Sequence, residues 1–409
     1  MRHEKRFFLV RGDKKIRRLG KTAFVTSLAL SLISTAWALY VKGVVGKESL
    51  VGLITSLFIA ISFLSYFFII PIIEKRNKLR IVIISSIMLA LIYFSYAFIT
   101  NLYVFIIVAC VMSVIGPLRT SAMGLIVKSN CQKKKLSRSE GFIYTIYNIS
   151  FFIGPLIGGF ILKNYDINYI FVIAPIIFLL GIWILKSAKL NEGGQKKKID
   201  TNLIKNLMDF FKDKDRAKAY MFHSGVNFWW SLIYIFIPLM MIKSLDIYWV
   251  GIFLAFVAVP LILFEVPFAA RVGRKGYKWM FFLGFLIPAI VALLCFIFFN
   301  IWFMIAALIL ASIGLAMLEP TTESYFFDVS KGKEDQRFYA PYNTAIDTGS
   351  LLGRLLPALF LLFLDIKYVL LIFAVGMAFL SLLSLTIRDV IEDEVGKKKV
   401  KDRDEEDEE

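Results

Sequence analysis

Residues 49–80 read SLVGLITSLFIAISFLSYFFIIPIIEKRNKLR. From Ser49 to Ile73 there is no charged residue, and the run is longer than the about 20 apolar residues a helix needs to cross the hydrocarbon of a bilayer. It then stops on a dense basic turn, Glu74-Lys75-Arg76-Asn77-Lys78. Apolar length followed by Lys and Arg is the pattern of a transmembrane helix whose next loop stays in the cytoplasm. This one stretch therefore predicts both a span and its direction.

The same alternation runs through the whole chain. Twelve apolar stretches are long enough to span, near 20–42, 49–73, 80–100, 102–127, 140–162, 167–187, 217–242, 248–270, 278–299, 301–327, 338–364 and 367–387. Basic residues collect in alternate gaps: the arm from Arg2 to Lys21, the turn after span two, Lys128 to Arg138, Lys186 to Lys218, Arg271 to Lys278, and Lys331 to Arg337. The other gaps hold only Lys42, Lys47, Lys163, Lys243 and Lys367. Because basic loops are retained on the cytoplasmic side, this asymmetry predicts an all-α membrane protein with both termini cytoplasmic.

Composition excludes a soluble domain: 58% of residues are hydrophobic, 39 are Phe, and mean hydropathy is +0.71. The net charge of +17 would suggest nucleic acid in a soluble chain. Here the charges act as orientation signals and contacts with anionic lipid, and no nucleic-acid partner is expected. The first apolar stretch is too long for a signal-peptide core, and no small-residue cleavage site follows it. Three cysteines (Cys110, Cys131, Cys295) form no framework, and two histidines cannot build a metal site by themselves. No phosphate loop, nucleophile elbow or dinucleotide fingerprint is present, so neither an enzyme nor a cofactor is expected.

The long gap at 188–216 divides the chain six spans from six. The expected organisation is a basic arm (1–19), a six-helix bundle (20–187), a linker (188–216), a second six-helix bundle (217–388) and a disordered charged tail (389–409). Within the linker, Leu203, Ile204, Leu207, Phe210 and Phe211 fall on one face of a helix able to lie at an interface. The halves resemble each other. Pro71 and Pro267 each stand one turn before a short basic turn, and Pro117 and Pro320 occupy corresponding places in spans four and ten. Repeated six-span units related by a pseudo-two-fold axis are a recurring design of secondary transporters.

With these features the chain resembles the major facilitator superfamily over essentially its whole length, about 15 to 390. The loop after span eight matches the family's basic loop motif at Arg271, Gly273, Arg274 and Lys275, with Ala270 where an acid is usual. The loop after span two keeps the acid, Glu74, followed by Lys75 and Lys78, but lacks the glycines. In span five, Gly154-Pro155-Leu156-Ile157-Gly158-Gly159 looks like a signature found especially in the family's exporters. Physically it is a packing motif: glycines let backbones approach, and Pro bends the helix. The resemblance implies alternating access by two bundles, with the basic loops as gating latches.

Charge inside a bilayer is costly and marks candidate functional residues. The list is Arg119, Glu265, Glu319, Glu323, Asp347 and Arg354. Arg119, Glu319 and Asp347 stand at similar distances from their loops and are expected at one depth, which makes them the proton-coupling candidates. In the resembled fold Arg119 and Glu319 would face the cavity from opposite halves. Glu265 and Glu323 lie nearer the boundary and are expected to serve in gating or to brace loops. Ser34, Trp37, Asn148, Asn227, Trp230 and Arg354 are the candidates for a solute cavity, and His223 reads as a satisfied boundary residue. The expected function is proton-coupled efflux of a small solute by a monomeric carrier in the cell membrane. Nutrient uptake or uniport on the same fold, or a receptor that binds without transporting, are the alternatives.

Overall fold

The computed structural model of the chain describes residues 14–130, 136–187, 203–330 and 334–387. The start of the basic arm, the run 193–198 and the acidic tail lie outside the described residues. So do the side chains of Glu74, Lys75, Arg274 and Lys275 and the surroundings of Gly273.

The described chain is helical throughout: α1 Lys14–Val45, α2 Glu48–Lys75, α3 Lys78–Tyr96, α4 Leu102–Asn130, α5 Leu136–Asn164, α6 Asn168–Ser187, α7 Leu203–Phe211, α8 Lys214–Ser231, a π-helical turn Leu232–Phe236, α9 Ile237–Met241, α10 Tyr248–Lys275, α11 Lys278–Phe298, α12 Ile301–Ser330, α13 Glu334–Phe360 and α14 Tyr368–Ser384. Local chemistry explains several starts. Asn77 accepts from the Arg80 amide at 3.0 Å, and Asp213 accepts from the amides of Asp215 and Arg216. Asn101 and Asn300 do the same for α4 and α12. Short polar side chains accept from amides that a helix start leaves unpaired.

Among the described residues, ten helices are long and apolar enough to cross a membrane, from Arg17–Val45 to Ile301–Ser330. The last two expected spans are helices that fall short of that criterion. α13 carries Glu334, Asp335, Arg337, Asp347 and Arg354 with Pro341 and Pro357, which lowers its hydropathy. α14 is apolar but only 17 residues long. Large apolar side chains point outward along the spans, among them Phe68, Ile107, Trp183 and Val375. Such a surface suits hydrocarbon rather than water.

The chain divides into two compact units, one of residues 1–198 with 241–258 and the other of 199–240 with 259–409. In the first unit α1 packs on α5 and α6, α3 on α4 and α6, and α2 on α4. Leu19, Ile69, Ile73, Val82, Ala122, Met123, Ile126 and Leu185 form a buried cluster at the end that carries the basic turns. At the other end Tyr40, Tyr96, Phe105 and Phe171 interlock, and the Tyr40 hydroxyl donates to the Tyr96 carbonyl at 2.8 Å. In the second unit α11 packs on α14 and α12, and α8 on α13 and α12. Phe222, Phe281, Phe285 and Tyr325 are its aromatic centre.

One internal contact recurs in both units. Ser31 Oγ on α1 donates to the Ser150 carbonyl on α5 at 3.0 Å, and Ser231 Oγ on α8 donates to the Ser350 carbonyl on α13 at 3.4 Å. Each bond spans 119 residues, and the second set lies 200 residues after the first. A glycine sits beside each serine. A methyl group at Gly154 would overlap Ser31 Oγ, and one at Gly353 would stand 2.8 Å from Ser231 Oγ. Gly158 lies against Thr35, and Gly159 meets Gly251 of α10, where a methyl would stand 3.0 Å from the Gly251 Cα. Small residues thus set the approach of α1 to α5 and of α8 to α13, as expected where apolar lipid supplies no hydrophobic drive between helices.

Candidate functional site

The polar centre of the second unit forms where α8, α10 and α12 converge. Glu319 stands on α12 immediately before Pro320, which supplies no N–H to the helical ladder. Thr321 and Thr322 turn their hydroxyls onto the carbonyls of Met317, Leu318 and Glu319 around that proline. Trp230 Nε1, at the end of α8, donates to Glu319 Oε1 at 2.8 Å. The π-helical turn starts two residues later, and its Tyr234 lies with its ring 5.5 Å from Trp230 and within electrostatic reach of Glu319. Single π turns inside α-helices frequently mark functional sites, because the extra residue re-aims the side chains that follow.

Glu265 of α10 completes the group through a side-chain hydrogen bond to Glu319. An ionised carboxylate can only accept, so a bond between two carboxyl groups needs a proton on one of them. Trp230 fixes one oxygen of Glu319, leaving a carboxyl pair that can hold or release a proton in a region of low dielectric. Sequence reading put Glu265 near the boundary for gating or loop bracing and did not foresee its hydrogen bond to Glu319. Its sequence signal was the placement of an acid two residues before Pro267.

Around this pair, Asn227 Nδ2 donates to the His223 carbonyl at 3.0 Å. The His223 ring stacks on Tyr342 at 4.8 Å, and its Nδ1 is 3.4 Å from Thr322 Oγ1. Its Nε2 is buried and has no hydrogen-bond partner among the described residues. Glu323 Oε1 accepts from the Tyr339 hydroxyl at 2.9 Å, tying α12 to α13. On α13, Asp347 is buried and acts electrostatically on Arg354, also in the second unit.

The profile of the Major Facilitator Superfamily matches residues 22–264 and again 221–406. The chain belongs to the Major Facilitator Superfamily. No curated protein matches the sequence. Among solved structures, a variant of the peptide transporter POT aligns with TM-score 0.73 at 13% identity, covering 92% of this chain and 94% of that one. The same transporter variant in complex with alafosfalin gives 0.76 at 13%, covering 94% and 96%. A POT family transporter in complex with 5-aminolevulinic acid gives 0.73 at 11%, covering 92% and 95%. At these identities the likeness is one of fold.

The other residues singled out from sequence in this superfamily member are distributed as follows. Arg119 of α4 donates from Nε to Ser86 Oγ of α3 at 2.9 Å and lies over the Phe178 ring of α6 at 4.7 Å. Its partners therefore belong to the first unit, whereas those of Glu319 belong to the second. Ser34 bonds its own helix at the Leu30 carbonyl. Trp37 is half-buried against Tyr96 at 5.6 Å and Phe105 at 6.1 Å, within the aromatic cluster. Asn148 is half-buried on α5. Lys78 opens α3, and Arg271 lies over Phe268 of its own helix at 5.6 Å. Pro155 sits inside α5, and its carbonyl faces Gly251.

Proposed function

We propose that this chain is a secondary active transporter of twelve spans that moves a small solute across the cell membrane by alternating access, with both termini cytoplasmic. The observation that carries the coupling is the Glu265–Glu319 carboxyl pair held by Trp230 beside a π turn. A proton taken up by this pair on one side and released on the other ties proton movement to the change in access. Asp347 with Arg354 is the second protonatable group, and Arg119 the candidate cation of the first unit. Asn227 and Trp230 line the solute path, with Ser34, Trp37 and Asn148 as further candidates. The basic turns at Glu74, Lys75 and Lys78 and at Arg271, Gly273, Arg274 and Lys275 act as latches.

The direction is outward, supported by the exporter-like Gly154–Gly159 signature, and the solute is a small amphipathic compound. Uptake is the second reading. It is favoured by the fold likeness to POT transporters, one of them complexed with the small amino acid 5-aminolevulinic acid.

Proteoliposome flux with an imposed pH gradient tests the reading. Glu319→Gln removes gradient-driven accumulation and leaves exchange at least partly intact. Full gradient-driven transport in that variant moves coupling to Asp347. Reversing the gradient separates export from uptake. A protein that binds solute with no flux in any arrangement is a receptor.

A further inference from the structure

At the end of α2 a groove of about 270 Å³ opens in the first unit, lined by Arg76, Asn77, Arg80, Ile81, Ile84, Ser85 and Met88 with Ile115 and Leu118 of α4. Its chemistry is graded along its length. Both arginines stand at one end, exposed, and among the described residues neither is held in an ion pair. From there Asn77, Ile81, Ile84, Ser85 and Met88 follow one face of α3, since residues three and four apart share a face. Ile84 and Met88 are exposed at 52% and 43%, while Ile115 is buried and forms the floor.

The length is informative. From Asn77 to Met88 the helix rises about 16 Å at ~1.5 Å per residue. That is about half of the ~30 Å hydrocarbon core, hence one leaflet. A basic mouth at the membrane surface and an apolar channel one leaflet deep match one kind of molecule.

We infer that this groove binds an acidic phospholipid. Its phosphate and anionic headgroup sit between Arg76 and Arg80, beside the N-terminus of α3 whose partial positive charge adds to theirs. One acyl chain lies along Ile81, Ile84 and Met88 against Ile115 and Leu118. Basic clusters beside a span attract anionic headgroups in general; the groove adds a seat for the chain, and so selects a lipid rather than a free anion. The inference rests on the membrane disposition proposed above and not on transport.

The test is retention of lipid by the purified full-length protein in detergent, read by native mass spectrometry after equilibration with phosphatidylglycerol, phosphatidylcholine or glycerol 3-phosphate. The wild type is expected to keep one phosphatidylglycerol and to keep phosphatidylcholine far less. Arg76→Gln with Arg80→Gln should weaken phosphatidylglycerol retention roughly 30-fold. Met88→Trp, which fills the groove and leaves both arginines, should also reduce it. Monodispersity and melting temperature confirm that each variant is folded. Equal retention of both lipids, or no effect of the arginine pair, overturns the inference. So does an unchanged Met88→Trp, which would reduce the contact to surface attraction, or competition by glycerol 3-phosphate, which would make it a phosphate site. Flux by the same purified proteins reconstituted into liposomes separates the two proposals, since lipid selectivity without flux leaves the groove standing and removes the transporter.

Discussion

Trp230 Nε1 reaches Glu319 Oε1 across the α8–α12 contact at 2.8 Å, and Glu319 in turn shares a hydrogen bond with Glu265. One indole thus orients a carboxyl pair drawn from two other helices. Hydrogen bonds to charged groups contribute about 1.5–3 kcal/mol. Trp230→Phe keeps an aromatic ring, though a smaller one, and deletes the donor, so gradient-driven transport should fall roughly tenfold or more while solute exchange without a gradient changes little. A variant that retains the wild-type ratio of driven to undriven flux would show that the indole only packs.

Glu265→Gln should behave like Glu319→Gln, and the double variant no worse than either. Groups that hold one proton jointly are strongly non-additive, and a double-mutant cycle measures this. Counting protons released on solute addition to the detergent-solubilised protein is the direct check. Independent, additive losses would separate the two carboxyls into different roles.

Helix approach gives a prediction in stability. Gly154→Ala places a methyl on Ser31 Oγ, and overpacking of this kind costs about 1–3 kcal/mol. Ser31→Ala removes that atom and should restore part of the loss, since the Ser31 Cβ would still stand 2.7 Å from the new methyl. Gly349→Ala meets the backbone carbonyl of Ser224 instead, so no side-chain change at position 224 should rescue it. Thermal midpoints of the purified variants decide between these cases.

Outside the spans, α7 docks on the second unit through Phe210, which is fully buried and packs on Phe338 and Tyr220. Sequence reading allowed this helix to lie at an interface; Phe210 faces protein while Met208 and Phe211 stay exposed, and Arg216 lies over the same Phe338 ring at 4.2 Å. Asp209 pairs with Lys212 and Arg337. Hydrogen bonds from Lys212 and then Arg337 hold its carboxyl below the ordinary range. The docking contribution is therefore complete above the ordinary carboxylate range and is lost as pH falls through the lowered value. Amide exchange in 203–211 should accelerate on acidification in the wild type and become insensitive to pH over that window in Asp209→Asn.

In the first unit, Glu48 is gripped by Lys42 at 3.1 Å and by Lys243 at 3.1 Å. Glu48→Gln releases both ammonium groups. Labelling of Ser244→Cys by a membrane-impermeant maleimide should then rise roughly two- to fivefold, given the modest worth of partly exposed pairs. High salt should raise it in the parent as well. Unchanged labelling in both conditions would mean that the segment after Met241 is held by packing alone.

The amino-acid sequence by itself determined the class. Apolar runs from Ser49–Ile73 onward, cut by basic turns, have one physical solution, because a backbone in hydrocarbon must satisfy its own hydrogen bonds. Among the described residues ten of those runs meet the length and hydropathy of a span, and the family follows from features spread along the chain. Gly154, Gly158 and Gly159 were legible as a packing motif because close approach requires small residues wherever it occurs. The partners were not legible. That Gly154 faces Ser31, that Ser231 repeats the contact 200 residues on, and that Glu265 meets Glu319 depend on which helix faces which. In a long apolar span most faces look alike to local sequence, so helix rotation is fixed only by packing. The π turn at Leu232–Phe236 re-aims the side chains that follow it, and nothing in its five apolar and aromatic residues marks it in advance. Tertiary structure decided the site, because a carboxyl pair is a property of two helices together and of neither sequence alone.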